Sequence, residues 1–351
     1  MINRGLCRAV GAAIAALLLM GAQRPALATD DDDDEVRSRG ACSTTASLMF
    51  KACTHEAGDE YFVARAKCEN TADARARAEC VAQARQARKE SREKCAARRD
   101  WRLKFCPALG EGRYDPPFTP ERFDADFHRL SNPNPYFPLG IGHRWELRGA
   151  GEVTQIEVTA DTKLVEGVTC IVVRDLVYKD GTLAEATDDW LAAGRDGSTW
   201  YCGEEVKDYA TFEGDRPQRP ELVSRDGSFK HGRDGAKAGL FLPARPQPGQ
   251  TYLEEFSLGN AEDVAEVLSN DYGYGRHPLL DRLVPRELVQ RLCNRDCVVT
   301  RNFSLLEPGA FALKYYARGI GFFLEIKPQE GKTLQLVSCN FDTRCVGLPA
   351  P

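Results

Sequence analysis

Six cysteines between residues 42 and 106 stand at intervals of 11, 15, 12, 15 and 11, a series that reads the same in both directions. A chain folded back near residue 74 therefore sets Cys42 opposite Cys106, Cys53 opposite Cys95, and Cys68 opposite Cys80. The same intervals suit helices. At about 100° per residue, steps of 11 and 15 return a side chain to within about 20° and 60° of its starting direction, so each helix carries its three cysteines along one stripe. The intervening residues are rich in Ala, Arg, Glu, Lys and Gln, which are good helix formers, and Asn70, Thr71 and Asp73 supply a turn and an N-cap. Gly58 is the position expected to bend or break the first helix. Of the many pairings that six cysteines allow, this geometry predicts one, an α-helical hairpin over residues 41–110 held by three nested bridges. Two helices alone bury little, and each bridge contributes about 2–4 kcal/mol.

Disulfides require an oxidising compartment, and the N-terminus predicts one. Arg4 and Arg8 precede an apolar run from Ala9 to Ala22, and Ala26-Leu27-Ala28 offers a cleavage site, so residues 1–28 read as a secretory signal. Cys7 precedes that run and is expected to leave with the signal. The run is too short to span a membrane, and no later segment is longer, so no transmembrane segment is predicted. The expected location is the bacterial periplasm or the exterior. Zinc and haem are poor rivals for the cysteines, because CxxC pairs and CxxCH are missing.

Residues 29–40 contain Asp30 to Asp34 and Glu35, a self-repelling block expected to stay solvated and disordered. Charge then divides unevenly. Residues 41–110 carry a net charge of +5, concentrated in the segment 85–104, RQARKESREKCAARRDWRLK. This basic helix is a candidate docking surface for an envelope protein or an anionic surface. Nucleic acid is not expected as a partner, since no aromatic platform accompanies the charge.

Residues 111–131, with PPFTP inside them, read as a proline-rich connector. From 132 to 351 the pattern changes to strand-length segments rich in β-branched and aromatic residues: EVTQIEVTA, VTCIVVRDLVY, STWYCGEEV, TYLEEFSL, DVAEVLSND, CVVTRNFSLL, ALKYYARG, IGFFLEIK and TLQLVS. Asp-Gly pairs at 180, 196, 226 and 234 mark tight turns. The expected class is α+β: a disulfide-stapled helical hairpin followed by a mainly antiparallel β-meander, as a curved sheet or half-barrel. A small helical insertion over 276–297, with Leu279, Leu280, Leu283, Val284, Leu288 and Leu292 at helical spacing, is expected to cap it. Cys293 with Cys297 and Cys339 with Cys345 favour local closure, with crossed pairing as the alternative. Cys170 and Cys202 either bridge strands or stay buried as small apolar residues.

Catalytic motifs are scarce. GxSxG, glycine-rich phosphate loops and HExxH are all missing, and the five histidines lack metal-ligand spacing. Acidic residues cluster around Asp188, Asp189, Glu204 and Glu205 and again from Glu254 to Glu266. Asp188, Asp189, Glu204 and Glu254 are candidates to hold calcium or to act as acid and base, as in glycoside hydrolysis. No other cofactor is predicted. Trp190, Trp200, Tyr201, Tyr315 and Tyr316 are candidates to line a ligand cavity.

The segments NPYFPLGIGHRWELRG, GVTCIVVRDLV, DDWLAAGRDGSTWYCGEE and KYYARGIGFFLEI resemble a family of secreted bacterial proteins of unassigned function. In that family an NPYFPLxxGxxW lead-in opens a β-meander and a YYAxGxG hairpin comes near its end. The closing hairpin also resembles the half-barrels of periplasmic lipoprotein carriers, which implies an apolar ligand in the concave face and no catalytic residue. The expectation is an exported, non-catalytic binding or scaffold protein for an apolar molecule or a partner. A metal-dependent or glycoside-hydrolase-like enzyme built on the acidic clusters is the alternative. Peptide mapping under non-reducing conditions is expected to recover the three nested cysteine pairs of the hairpin, and any other pairing there refutes the fold-back geometry.

Overall fold

The computed structural model describes residues 40–351, so the segment expected to be a secretory signal, Cys7 and the acidic block at 29–39 lie outside it. Two long helices open the described chain, α1 (Ala41–Glu69) and α2 (Ala74–Leu109). Asp73 caps α2 by accepting a hydrogen bond from the Ala76 amide at 2.7 Å. The helices are bridged by Cys42–Cys106, Cys53–Cys95 and Cys68–Cys80, with Cα separations of 5.6, 5.7 and 5.6 Å. Little but Ala46, Ala57, Ala84 and cysteine sulfur is buried along most of the pair, so covalent links replace a core. Gly58 neither breaks nor ends α1, which runs through it. Intrahelical hydrogen bonding on both sides outweighs the modest cost of one glycine.

The β domain contains β1 (Arg144–Gly149), β2 (Glu152–Val165), β3 (Val168–Lys179), β4 (Thr182–Ala193) and β5 (Thr199–Ala210), which form a first antiparallel meander. Short strands β6 (Glu221–Ser224), β7 (Phe229–Lys230) and β8 (Gly239–Leu242) then pair with β5. A second meander follows through β9 (Thr251–Leu253), β10 (Asp263–Tyr272), β11 (Cys297–Ser304), β12 (Ala312–Ala317), β13 (Gly321–Lys327) and β14 (Lys332–Cys339). Its last strand pairs with β1, so both meanders belong to one sheet of the described residues. No continuous ladder closes this sheet into a barrel. Its ends nevertheless meet: Lys237 and Phe256 form an isolated bridge, and a Cβ on Gly239 would lie 1.8 Å from the Glu254 carbonyl oxygen. Only glycine permits that approach.

On the outer face, Cys170 on β3 is bonded to Cys202 on β5 across the intervening β4, with a Cα separation of 6.7 Å. Strands two apart in a flat sheet lie about 9.5 Å from each other, so the ladder is distorted here, beside the β4–β5 bulge between Trp190 and Leu191. The segment 111–131 is a packing element as well as a link. Phe118 and Phe123 cover the outer face, over Cys170, Val172, Trp190 and Ala192. The expected helical insertion is two short helices, α3 (Pro278–Asp281) and α4 (Arg286–Leu292). Leu288, Val289 and Leu292 enter the main core, whereas Leu279 and Leu283 are exposed, so only part of the apolar stripe anchors the cap. Cys293–Cys297 and Cys339–Cys345 close locally.

The lead-in and the closing hairpin meet each other. Trp145 Nε1 donates to the Ile320 carbonyl at 2.7 Å, and the Gly319 amide donates to the Pro135 carbonyl at 2.7 Å. Phe137 stacks on Trp145 within the main core. His143 lies flat on Phe341 at a 3.9 Å ring separation, and burial lowers its pKa, so it packs as a neutral ring.

The basic helix spends its C-terminal part on its own sheet. The Arg102 guanidinium makes two hydrogen bonds to the Glu262 carboxylate, at 2.8 and 2.7 Å, with both side chains buried. Trp101 and Phe105 pack beside this pair against Phe303, and Arg98 donates to the Leu306 carbonyl at 2.7 Å. Replacing Arg102 with Met should cost about 3–5 kcal/mol in denaturant unfolding, because Glu262 is left buried without its counter-ion. A loss below about 1 kcal/mol would mean that the pair contributes no more than a surface ion pair.

Candidate functional site

Strand alternation determines what the curled sheet encloses. On β3, Val173, Asp175 and Val177 face inward, and on β4 Leu191, Asp189 and Glu185 do the same, so carboxylates share a face with core residues. The opposite wall presents Glu254, Glu255 and Asp263 from the segment around β9 and β10. Lys314 and Tyr316 come from β12, and Glu325 from β13. Together they line a cavity of about 370 Å³, with Phe137, Ile156, Phe241, Phe322 and Leu334 as an apolar collar. None of the five histidines lines it.

The hydrogen bonds inside the cavity imply stored protons. The Tyr201 hydroxyl contacts both the Asp189 carboxyl group and Glu204, the latter at 3.0 Å. One hydroxyl proton cannot serve two carboxylates, so the consistent arrangement is a chain. A protonated Glu204 donates to the Tyr201 oxygen, and Tyr201 donates to ionised Asp189. Burial, reinforced by the Asp189 charge, pushes the Glu204 carboxyl well above its ordinary range. Burial also raises Asp189 to about 6, against the opposing hydrogen bond from Tyr201. Glu254 is raised to about 7 by burial, although Lys314 and the Asn302 amide oppose the shift. Glu255 and Asp175 are pushed up by burial and by neighbouring acids, and Asp263 by burial. Burial pulls Lys314 down, but Glu254, Tyr316, Glu325 and Asp263 together hold it above the ordinary lysine range. Asp175 Oδ1 is buried without a hydrogen-bond partner.

Three of the four acidic candidates, Asp189, Glu204 and Glu254, belong to this interior network. Asp188 does not. Adjacent strand residues face opposite ways, and Asp188 pairs with Arg174 on the outer face at 3.1 Å. Nor do the four form a metal cage. Among the described residues, the one group of three ligand atoms within 4.8 Å of one another is Cys42, Cys106 and Glu111. Its two cysteines are oxidised to a disulfide. Of the aromatic candidates, Tyr201 and Tyr316 line the cavity. Trp190 and Trp200 lie on the opposite face of the sheet, where Lys163 covers Trp190 at 3.7 Å. Tyr315 is fully buried in the main core and donates to the Leu280 carbonyl at 3.2 Å.

Sequence reasoning overlooked Asp175, Glu185, Lys314 and Glu325. A usable signal existed at Asp175, which falls in register with Ile171 and Val173 on the buried face of a strand. No family model matches the chain, and neither does any curated protein or solved structure.

These acids determine a pH dependence. A carboxyl whose folded pKa is raised stabilises the fold fully below its unfolded pKa, and that contribution is lost as pH rises through the folded value. For Glu254 and Asp189 the windows run from ordinary carboxylate values up to about 7 and about 6. Stability by denaturant unfolding should therefore fall between about pH 4 and 7. Glu254→Gln should flatten that fall, and an unchanged slope in the variant would contradict the assignment.

Proposed function

We propose that the protein is an exported binding protein that holds a small ligand inside its curled sheet, with the stapled hairpin as an arm. Six disulfides among the described residues favour an oxidising compartment. Among those residues no helix is long and apolar enough to cross a membrane. The observation that carries the reading is the convergence of Asp175 and Asp189 with Glu254, Glu255 and Asp263, from strands distant in the chain, on one cavity. Desolvating that many carboxylates opposes folding, and a ligand that compensates them recovers the loss.

A wholly apolar ligand fits the collar but leaves the carboxylates uncompensated, so the ligand must carry polar groups that donate hydrogen bonds. Glu254 at about 7 and Asp189 at about 6 favour a second reading, a hydrolase, since a general acid needs a carboxyl that holds its proton near neutral pH. Native mass spectrometry of protein taken from the periplasm separates the two. A retained small molecule that is lost in Asp189→Asn supports binding. A bare chain that turns over aryl glycosides, and fails to do so as Glu254→Gln, overturns binding in favour of hydrolysis.

A further inference from the structure

We propose that the ligand is a flexible oligoamine, a chain of ammonium groups joined by short methylene spacers. This rests on the binding-protein reading and concerns the chemistry of the same cavity. Among the described residues, no three cavity carboxylates bring ligand atoms within 4.8 Å of one another, so a bare divalent ion would find no cage. The negative groups are instead spread around the lining, Glu152, Asp175, Glu185 and Asp189 on β2 to β4, Glu254, Glu255 and Asp263 near β9 and β10, and Glu325 on β13. Lys179, Lys314 and Lys327 also line the cavity, so the acids outnumber the lysines by eight to three. A compensating ligand must therefore place several cations apart from each other.

The same lining carries Val173, Leu191, Phe241 and Leu334, apolar side chains that suit methylene groups rather than hydroxyls. Asp175 supplies an independent indication. Asp175 lines the cavity, and its Oδ1 is buried without a donor, which an ammonium N–H would provide. The volume of about 370 Å³ lies near the lower end for small-molecule sites, which fits a slender chain.

Isothermal titration with spermidine at pH 8 and an ionic strength of about 0.15 M tests this, because nonspecific attraction is screened under those conditions. Saturable one-to-one binding is expected. Asp175→Asn should weaken it about tenfold or more, as expected for the loss of a charge-assisted hydrogen bond. Asp188→Asn removes an equal charge from the outer face of the same sheet and should leave the affinity unchanged. Neither variant should lower the unfolding transition of the parent, which separates lost binding from lost fold. Absent or non-saturable binding overturns the inference, as does equal weakening by the two variants, and so does tighter binding of maltotriose or calcium chloride. If spermidine fails while periplasmic protein still retains a small molecule, only the oligoamine falls; if the protein also comes bare, the binding reading falls with it.

Discussion

The pairing of β1 with β14 joins two independent meanders into one sheet, and the interior exists because of it. Without that ladder each meander would present one face to solvent, and the carboxylates on β3 and β4 would be ordinary surface acids. With it, the sheet coils until β8 approaches β9, and inward residues from almost every strand address a common space. The Trp145 and Gly319 hydrogen bonds fasten the same seam from one end. Elements far apart in the chain thus depend on a single strand pair.

The interior trades stability for polarity. A core of this size could have been filled with leucine and valine, as the neighbouring cluster around Leu147, Ile171 and Leu336 is. Acids occupy the cavity instead, and several hold protons more tightly than in water. Groups that oppose folding and serve no packing purpose tend to be retained at sites of function.

Local signals in the sequence revealed the helical hairpin almost completely, because helix period, cysteine interval and bridge geometry all express the same spacing. Strands rich in Val, Ile and Tyr were equally legible. β4 was not, since TLAEATDDWLAA has weak strand propensity and is held by its neighbours β3 and β5. The turns at Ala150-Gly151 and Glu166-Gly167 place a non-glycine residue at positive φ, and they were missed because Asp or Asn usually stands there. The cavity was half legible. Acid clusters near Asp189 and Glu254 stood out, but their convergence depends on the coil of the sheet, which no local pattern encodes. Lys314 and Asp175 lie in strand segments that carry no acidic cluster, so nothing local marked them.

The docking of α2 has a geometric consequence. Arg98, Trp101 and Arg102 grip the sheet near one end of α2, and its first residue, Ala74 beside the turn, lies 24 to 28 residues away along an uninterrupted helix. At about 1.5 Å per residue, the tip stands roughly 40 Å from its anchorage. Three covalent rungs keep the two rails of this ladder from sliding or fraying. The molecule therefore carries its own measuring rod, and any structure gripped at the tip is held at a set distance from the chamber in the sheet.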